Sequence, residues 1–179
     1  MKEFLKYVGE YLNTYPQIRF KKIDEILIRD EAIKHFGFTN INQLRDRYEG
    51  QAFFDNALKN LGGLMAIQKH LELPLIDVKK TQLGGFQPKL IINNNIFDVL
   101  VFEFGTLPLI NLNEIKNPIF FVIQKDRITF NLCGFANIKV ITDNLIRTSI
   151  EKSSQGNNMN FIGFKHLIKP QNLIKNKDK

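Results

Sequence analysis

A chain of 179 residues is long enough for one domain or two small ones. Hydrophobic residues make up 44% of it and charged residues 24%, a composition that can form a packed core and excludes disorder of the whole chain. The net charge of +7 favours polyanionic partners, nucleic acid before acidic membrane, although abundant Lys, Asn, Ile and Phe also fit an AT-rich coding bias. A single cysteine, Cys133, excludes an intramolecular disulfide and a multi-cysteine zinc site and fits a reducing compartment. Residues 1–20 lack a signal-peptide pattern, and no apolar run approaches the roughly 18 residues of a membrane span, so we expect a cytoplasmic protein without membrane contact.

Helical periodicity dominates the first 63 residues. Helices are predicted over residues 2–12, 31–36 and 41–61. Residues 23–28 fit either the start of a helix or a short strand. Asp30 is expected to cap the second helix, and the Gly62-Gly63 pair is expected to end the third.

Residues 29–48 resemble a helix-turn-helix, in which a short helix and a glycine turn precede a second helix. That second helix carries side chains of the types that reach base edges or phosphates: Asn42, Gln43, Arg45 and Arg47. The pattern also fits a helical hairpin that covers one end of a sheet. The segment is therefore either a DNA-contacting surface or a packing element.

From residue 64 the periodicity changes, with residues 64–74 ambiguous between strand and helix. Apolar runs rich in β-branched and aromatic residues then predict strands over residues 75–78, 89–92, 97–104, 118–124, 128–133 and 138–141. A hairpin turn at residues 125–127 joins two of these strands. Because the central runs are apolar on both faces, we expect a sheet that is covered on both sides.

These elements predict an α/β or α+β protein in three parts. A helical N-terminal region, which includes the segment that resembles a helix-turn-helix, spans residues 1–63. A mixed β-sheet flanked by helices spans residues 64–168. Within the second part, a helix is expected over residues 143–151. A basic tail, residues 169–179, is expected to fray and is suited to neutralising phosphates.

The stretch LIDVKKTQ carries the clearest candidate chemistry. Because side chains alternate along a strand, Asp77 and Lys79 project from one face. A carboxylate beside an ammonium on a rigid element suits a metal-assisted phosphodiester site, since Mg²⁺ prefers carboxylate oxygens and both activates water and neutralises the transition state. The same pair also fits a solvated ion pair.

The order of this acid-x-Lys strand, the strands KLII and FDVLVFEF, and a hairpin ending in NLCGFA resembles the core of the PD-(D/E)xK nuclease family, the restriction-endonuclease-like fold. The resemblance implies that Asp77 binds a metal ion and that Lys79 orients the attacking water. It further implies that Lys80 or Gln82 touches the scissile strand. Asp98 and Glu103, five residues apart on one predicted strand, are expected on opposite faces.

Such sites often include an acidic residue from an upstream helix, for which Glu49 and Asp55 are the candidates. The family also places an aspartate on the strand before acid-x-Lys. Between Asp55 and Asp77 the only acid is Glu72. Either Glu72 or Asp55 therefore supplies the second ligand beside Asp77, or the site is degenerate, which means that it binds nucleic acid without cleaving it.

The resulting prediction is a DNA-binding, Mg²⁺-dependent endonuclease of restriction or defence type that acts on double-stranded DNA. The alternative is a non-catalytic DNA-binding module, either a helix-turn-helix regulator or a subunit of a larger nucleoprotein complex. Dimerisation would suit a nuclease that cuts two strands.

Overall fold

The computed structural model describes residues 1–35, 48–74, 89–147 and 158–173. Within these ranges the protein is a mixed β-sheet flanked by helices, with an N-terminal helical part, as predicted. The described α-helices are α1 (Lys2–Val8), α2 (Lys22–His35), α3 (Tyr48–His70) and α4 (Ile138–Asp143). The described strands are β1 (Gln17–Arg19), β2 (Lys89–Ile92), β3 (Asn95–Glu103), β4 (Leu109–Asn111), β5 (Ile119–Asp126), β6 (Thr129–Ala136), β7 (Leu145–Ile146) and β8 (Asn158–Phe161).

Five of the described strands form the main sheet in the order β1-β6-β5-β3-β2, and three short ones form a second sheet in the order β4-β8-β7. Strands β3 and β5 are parallel, while the other neighbouring strands of the main sheet are antiparallel. The turn predicted at residues 125–127 joins β5 to β6 as a hairpin. This arrangement confirms the predicted mixed sheet.

Both faces of the main sheet are covered, as predicted, and alternation along β5 shows how. Phe120 packs with Leu64 and Ile67 of α3 on the first face. Its neighbour Phe121 points to the second face, where it stacks on Phe161 with ring centroids 4.5 Å apart. Helix α1 adds further apolar side chains to that second core. Burial on both sides fixes the register of the central strands.

Helix α3 runs through the Gly62-Gly63 pair to His70, so the prediction that the glycines end the helix is wrong. The pair faces the sheet at very close range. A Cβ on Gly62 would lie 2.6 Å from Cζ of Phe130, and one on Gly63 would lie 2.2 Å from Cγ2 of Val101. The glycines therefore let the helix approach the strands. Because α3 also crosses the boundary predicted between residues 63 and 64, the helix and the sheet share one core.

Helix α2 begins at Lys22, nine residues before the predicted start, and Asp30 lies inside it beside Arg29. Asp24 lies in the first turn of α2 and is 5% exposed. Its carboxylate accepts hydrogen bonds from the backbone N–H of Lys21 at 2.9 Å and from Nζ of Lys69 on α3 at 2.7 Å. Asp24 thus caps α2 and ties it to α3.

Burial alone would raise the pKa of Asp24, but the hydrogen bonds from Lys69 and Lys21 outweigh it and hold this pKa below its ordinary value. We therefore expect Asp24→Asn to lower the free energy of unfolding at pH 7 by about 1–3 kcal/mol. Because the folded-state pKa is lowered, this stabilisation is present above the ordinary pKa of Asp and is lost as the pH falls through the lowered value. Urea unfolding at several pH values should show the gap between the wild type and the variant closing in acid. An unchanged gap would contradict the assignment, and the exposed Asp143→Asn is the matched control.

Three other predicted boundaries are corrected. Residues 138–141, predicted as a strand, belong to helix α4, because Oδ1 of Asn137 accepts the backbone N–H of Val140 at 2.9 Å and starts a helix there. Strand β7 lies within the helix predicted over residues 143–151. The tail predicted to fray from residue 169 is ordered through Leu173, whose side chain is buried in the first core.

Candidate functional cleft

An open cleft of about 610 Å³ lies between α2, α3 and one end of the main sheet. This end carries Glu103 of β3 and Gln124 of β5, which face each other as the carboxyl ends of the parallel pair. Ligands of open α/β sheets commonly bind outside the carboxyl ends of parallel strands. The charged side chains that line the cleft are Glu25, Arg29, Asp55, Lys59, Glu103 and Arg127. We call this surface the charged cleft.

The base of the charged cleft is rigid. Phe20 and Phe130, both nearly fully buried, line it with ring centroids 5.2 Å apart. Gly62 of α3 lies against the Phe130 ring, so the helix is held close to the sheet at this point. The polar side chains above therefore project from elements whose relative position is fixed by core packing.

Two ion pairs join the walls of the charged cleft. Nζ of Lys59 lies 3.7 Å from Oε1 of Glu103, which links α3 to β3. Nε of Arg127 lies 3.4 Å from Oε2 of Glu25, which links the β5–β6 hairpin to α2. The Glu103 and Arg127 side chains are 67% and 82% exposed. Exposed pairs of this kind contribute little stability, so a charged ligand can replace them at small cost.

Asp55, one of the acids expected to complete a metal site, lies in the charged cleft one helical turn before Lys59. Glu72 lies beyond the opposite end of α3, exposed and with a positive φ of 53°. Asp55 and the last residue of α3 are about 22 Å apart along the helix axis. Asp55 and Glu72 therefore cannot ligate one cation. Glu49 lies in the first turn of α3.

The other residues of the predicted site fall outside the described residues. They are Asp77 and Lys79 with Lys80 and Gln82, and the helix-turn-helix set Asn42, Gln43, Arg45 and Arg47. Asp98 and Glu103, expected on opposite faces of their strand, line two different clefts. Asp98 accepts hydrogen bonds from Nδ2 of Asn117 at 3.2 Å.

Cys133 and His70 lie outside the charged cleft, and burial changes the pKa of each. Cys133 is buried in the second core, and burial raises the pKa of its thiol well above its usual range, which is the setting of a structural cysteine. Burial lowers the pKa of His70, whose Nε2 lies 3.2 Å from Nε2 of Gln171. Across residues 1–35, 48–74, 89–147 and 158–173, no group of three or more His, Cys, Asp or Glu side chains is placed to hold a metal ion.

The CGFA run at the end of β6 has a structural explanation. Gly134 has φ +123°, and the pairing of β6 with β5 shifts register beside it, which is the geometry of a β-bulge. The space that a Cβ on Gly134 would need is occupied by the backbone of Ile168, which pairs with Phe135. The run therefore forms a bulge in β6 and provides no polar side chain to the charged cleft.

No family model, curated protein or solved structure matches this chain. The similarity to PD-(D/E)xK nucleases therefore stays a prediction from short motifs. None of the helices in the described part of the chain combines the length and apolar character that a membrane span requires.

Sequence reasoning missed four charged residues of the charged cleft, Glu25, Arg29, Lys59 and Arg127. Lys59 follows Asp55 by four residues on a predicted helix, so their shared face was visible in the sequence. The contacts of Lys59 with Glu103 and of Arg127 with Glu25 join distant segments, and no local pattern predicts them.

Proposed function

We propose that this protein binds nucleic acid, with double-stranded DNA as the expected partner, and that the charged cleft hydrolyses its phosphodiester bonds in a Mg²⁺-dependent reaction. The observation that carries the proposal is the placement of Lys59 beside Glu103, with Asp55 one turn away in the same cleft. A carboxylate beside an ammonium is also what the sequence predicts at Asp77 and Lys79, which lie outside the described residues.

The donor set of the charged cleft fits a hard cation. Asp55 and Glu103 offer carboxylate oxygens from two elements, and Mg²⁺ in phosphate chemistry is typically held by one or two carboxylates together with waters and substrate phosphate. When bound, the ion would supply an activated water and offset negative charge. Asp55 and Glu103 are therefore the proposed ligands.

The cations have separate roles in this proposal. Lys59, whose Nζ lies beside Glu103, would offset the charge that develops on the phosphorus oxygens. Arg29 and Arg127 lie at the walls of the cleft, and a guanidinium matches a phosphate with two parallel hydrogen bonds. Among the described lining residues, three are acidic and three are basic, which suits a site that holds both a cation and a phosphate.

We expect the purified protein to nick or linearise plasmid DNA in Mg²⁺ or Mn²⁺ and to lose this activity in EDTA. Glu103→Gln and Lys59→Met should each lower the cleavage rate by about 100-fold or more, since they remove a metal ligand and a charge that stabilises the transition state. Glu114→Gln is the matched control, because Glu114 lines a different cleft, on the second face of the sheet.

Lys79→Ala belongs in the same assay. If that variant is inactive while Glu103→Gln and Lys59→Met cleave at the wild-type rate, hydrolysis takes place at the acid-x-Lys segment and the charged cleft is not the active site. If the plasmid stays intact with every protein and both metals, the hydrolytic proposal fails.

A non-catalytic DNA-binding module, a regulator or a subunit of a larger cytoplasmic nucleoprotein complex, is the second candidate. It is favoured by the ion pairing of both Glu25 and Glu103 and by the absence, among the described residues, of a group of three metal-binding side chains. Binding that weakens steeply with salt but leaves the plasmid uncut would support this candidate.

A further inference from the structure

Strand β2 forms one end of the five-stranded sheet in the described residues, and it presents an apolar surface there. Ile91 is 66% exposed, and Ile96, directly opposite on β3, is 42% exposed. Both point away from the core formed by Leu90 and Ile92 on the other face of β2. A terminal strand with an exposed apolar side chain is a template for pairing with another strand.

The hairpin geometry identifies which backbone groups of β2 point outwards. Asn93 and Asn94 both have positive φ, 50° and 62°, which defines a type I′ two-residue turn. In such a hairpin Ile92 and Asn95, which flank the turn, form a hydrogen-bonded pair. Because bonded and non-bonded pairs alternate in antiparallel strands, the next pair, Ile91 with Ile96, is non-bonded. The N–H and C=O of Ile91 therefore point away from β3.

We infer that strand β2 pairs antiparallel with strand β2 of a second copy, which forms a homodimer with a continuous ten-stranded sheet. A two-fold axis perpendicular to the sheet keeps the same face of each copy on the same side, and directly opposed residues share a face. This condition is met only by registers in which odd-numbered residues lie opposite odd-numbered ones and even-numbered residues opposite even-numbered ones. In the register centred on Ile91, that residue lies opposite Ile91 of the second copy. The outward N–H and C=O groups of the two residues then form two hydrogen bonds with each other.

This register produces a self-complementary apolar row. Ile96 and Ile91 of one copy continue into Ile91 and Ile96 of the other, so four isoleucines lie side by side across the dimer. On the opposite face, Leu90 of one copy meets Ile92 of the other, which extends the first core across the interface. The pairing thus buries side chains that a monomer exposes.

Charge at this edge is compatible with self-association despite the net charge of +7. A lysine on an edge strand normally discourages pairing, but Lys89 lies directly opposite Asp98 on β3, so the patch is close to neutral. In the register centred on Ile91, Lys89 of each copy opposes Asn93 of the other. The two lysines therefore lie at opposite ends of the paired strands, and no like charges meet.

The test is the mass of the full chain in solution, measured by light scattering or sedimentation over about 1–200 μM, a range set by the micromolar affinity expected of a small interface. We expect a concentration-dependent dimer for the wild type and at least a tenfold weaker dimer for Ile91→Asp. Ile138→Asp is the matched control, since Ile138 is 40% exposed and lies in the first turn of α4, where an acid is tolerated. Circular dichroism of each variant checks that it is folded.

Amide exchange at Ile91 separates the remaining outcomes. Slow exchange in the wild type and fast exchange in the Ile91→Asp variant support pairing through this strand. A wild type that is monomeric at every concentration overturns the inference, and slow exchange in such a monomer would mean that another segment of the same chain covers the edge. A dimer of unchanged strength in Ile91→Asp would also overturn it, because the contact must then lie elsewhere. None of these readouts depends on nuclease activity.

Discussion

Gly63→Ala should lower the free energy of unfolding by about 1–2 kcal/mol, although alanine is the better helix former. An alanine in a helix interior is favoured over glycine by about 1 kcal/mol, which sets the gain. The added Cβ, however, would lie 2.2 Å from Cγ2 of Val101, far inside van der Waals contact. Either α3 must move from the sheet or Val101 must leave its rotamer, and overpacking of this kind typically costs about 1–3 kcal/mol or more.

Urea or thermal unfolding measures this loss, and the chain supplies a control. Gly9 lies between α1 and the following turn with φ −54°, and its added Cβ would be 3.8 Å from the nearest atoms of Leu5. Gly9→Ala should therefore be neutral or slightly stabilising. The double variant Gly63→Ala with Val101→Ala should recover part of the loss in a double-mutant cycle. A Gly63→Ala protein as stable as the wild type would show that α3 does not approach β3 this closely.

Gly134→Ala should have an even larger effect, a loss of about 3 kcal/mol or more. The positive φ of Gly134, +123°, is strained for any residue with a Cβ. In addition, the new methyl group would lie 2.4 Å from the carbonyl oxygen of Ile168, a backbone atom that cannot rotate away. The mutation should therefore open the contact between β6 and the C-terminal segment as well as strain the bulge.

Gly105→Ala is the comparison that separates these two causes. Gly105 also has a positive φ, +93°, but its nearest neighbour is the flexible end of the Met1 side chain at 3.0 Å. Gly105→Ala should show the backbone strain alone, about 1–2 kcal/mol. Equal losses at the two glycines in denaturant titrations would argue against the close approach of Ile168.

The strands and the β5–β6 hairpin could be predicted from the sequence because their signals are local. A run such as IFFVIQ is apolar on both faces and predicts a buried strand. The short polar turn after it marks where that strand ends. The Gly62-Gly63 pair shows the limit of such signals. Glycine at the end of a helix and glycine at a close helix–sheet contact look the same in a sequence, and only the position of Phe130 and Val101 distinguishes them.

The candidate site was less predictable for the same reason. Asp55 was identified because it is an acid on a helix, but its neighbours in the charged cleft come from segments separated by dozens of residues. Lys59 and Glu103 meet only after α3 has packed across β3. A motif search finds residues that are adjacent in the chain, such as Asp77 and Lys79, and does not find pairs that tertiary packing creates.

The glycine contact under α3 has a further consequence for the width of the charged cleft. Gly62 both touches Phe130 and lines the charged cleft, so the spacing between helix and sheet also sets the distance between Lys59 and the end of β3. A tolerated substitution at residue 62 would widen the gap between these walls without altering any charged side chain. The width of the charged cleft could then be changed separately from its charged side chains, through a single contact between α3 and the sheet.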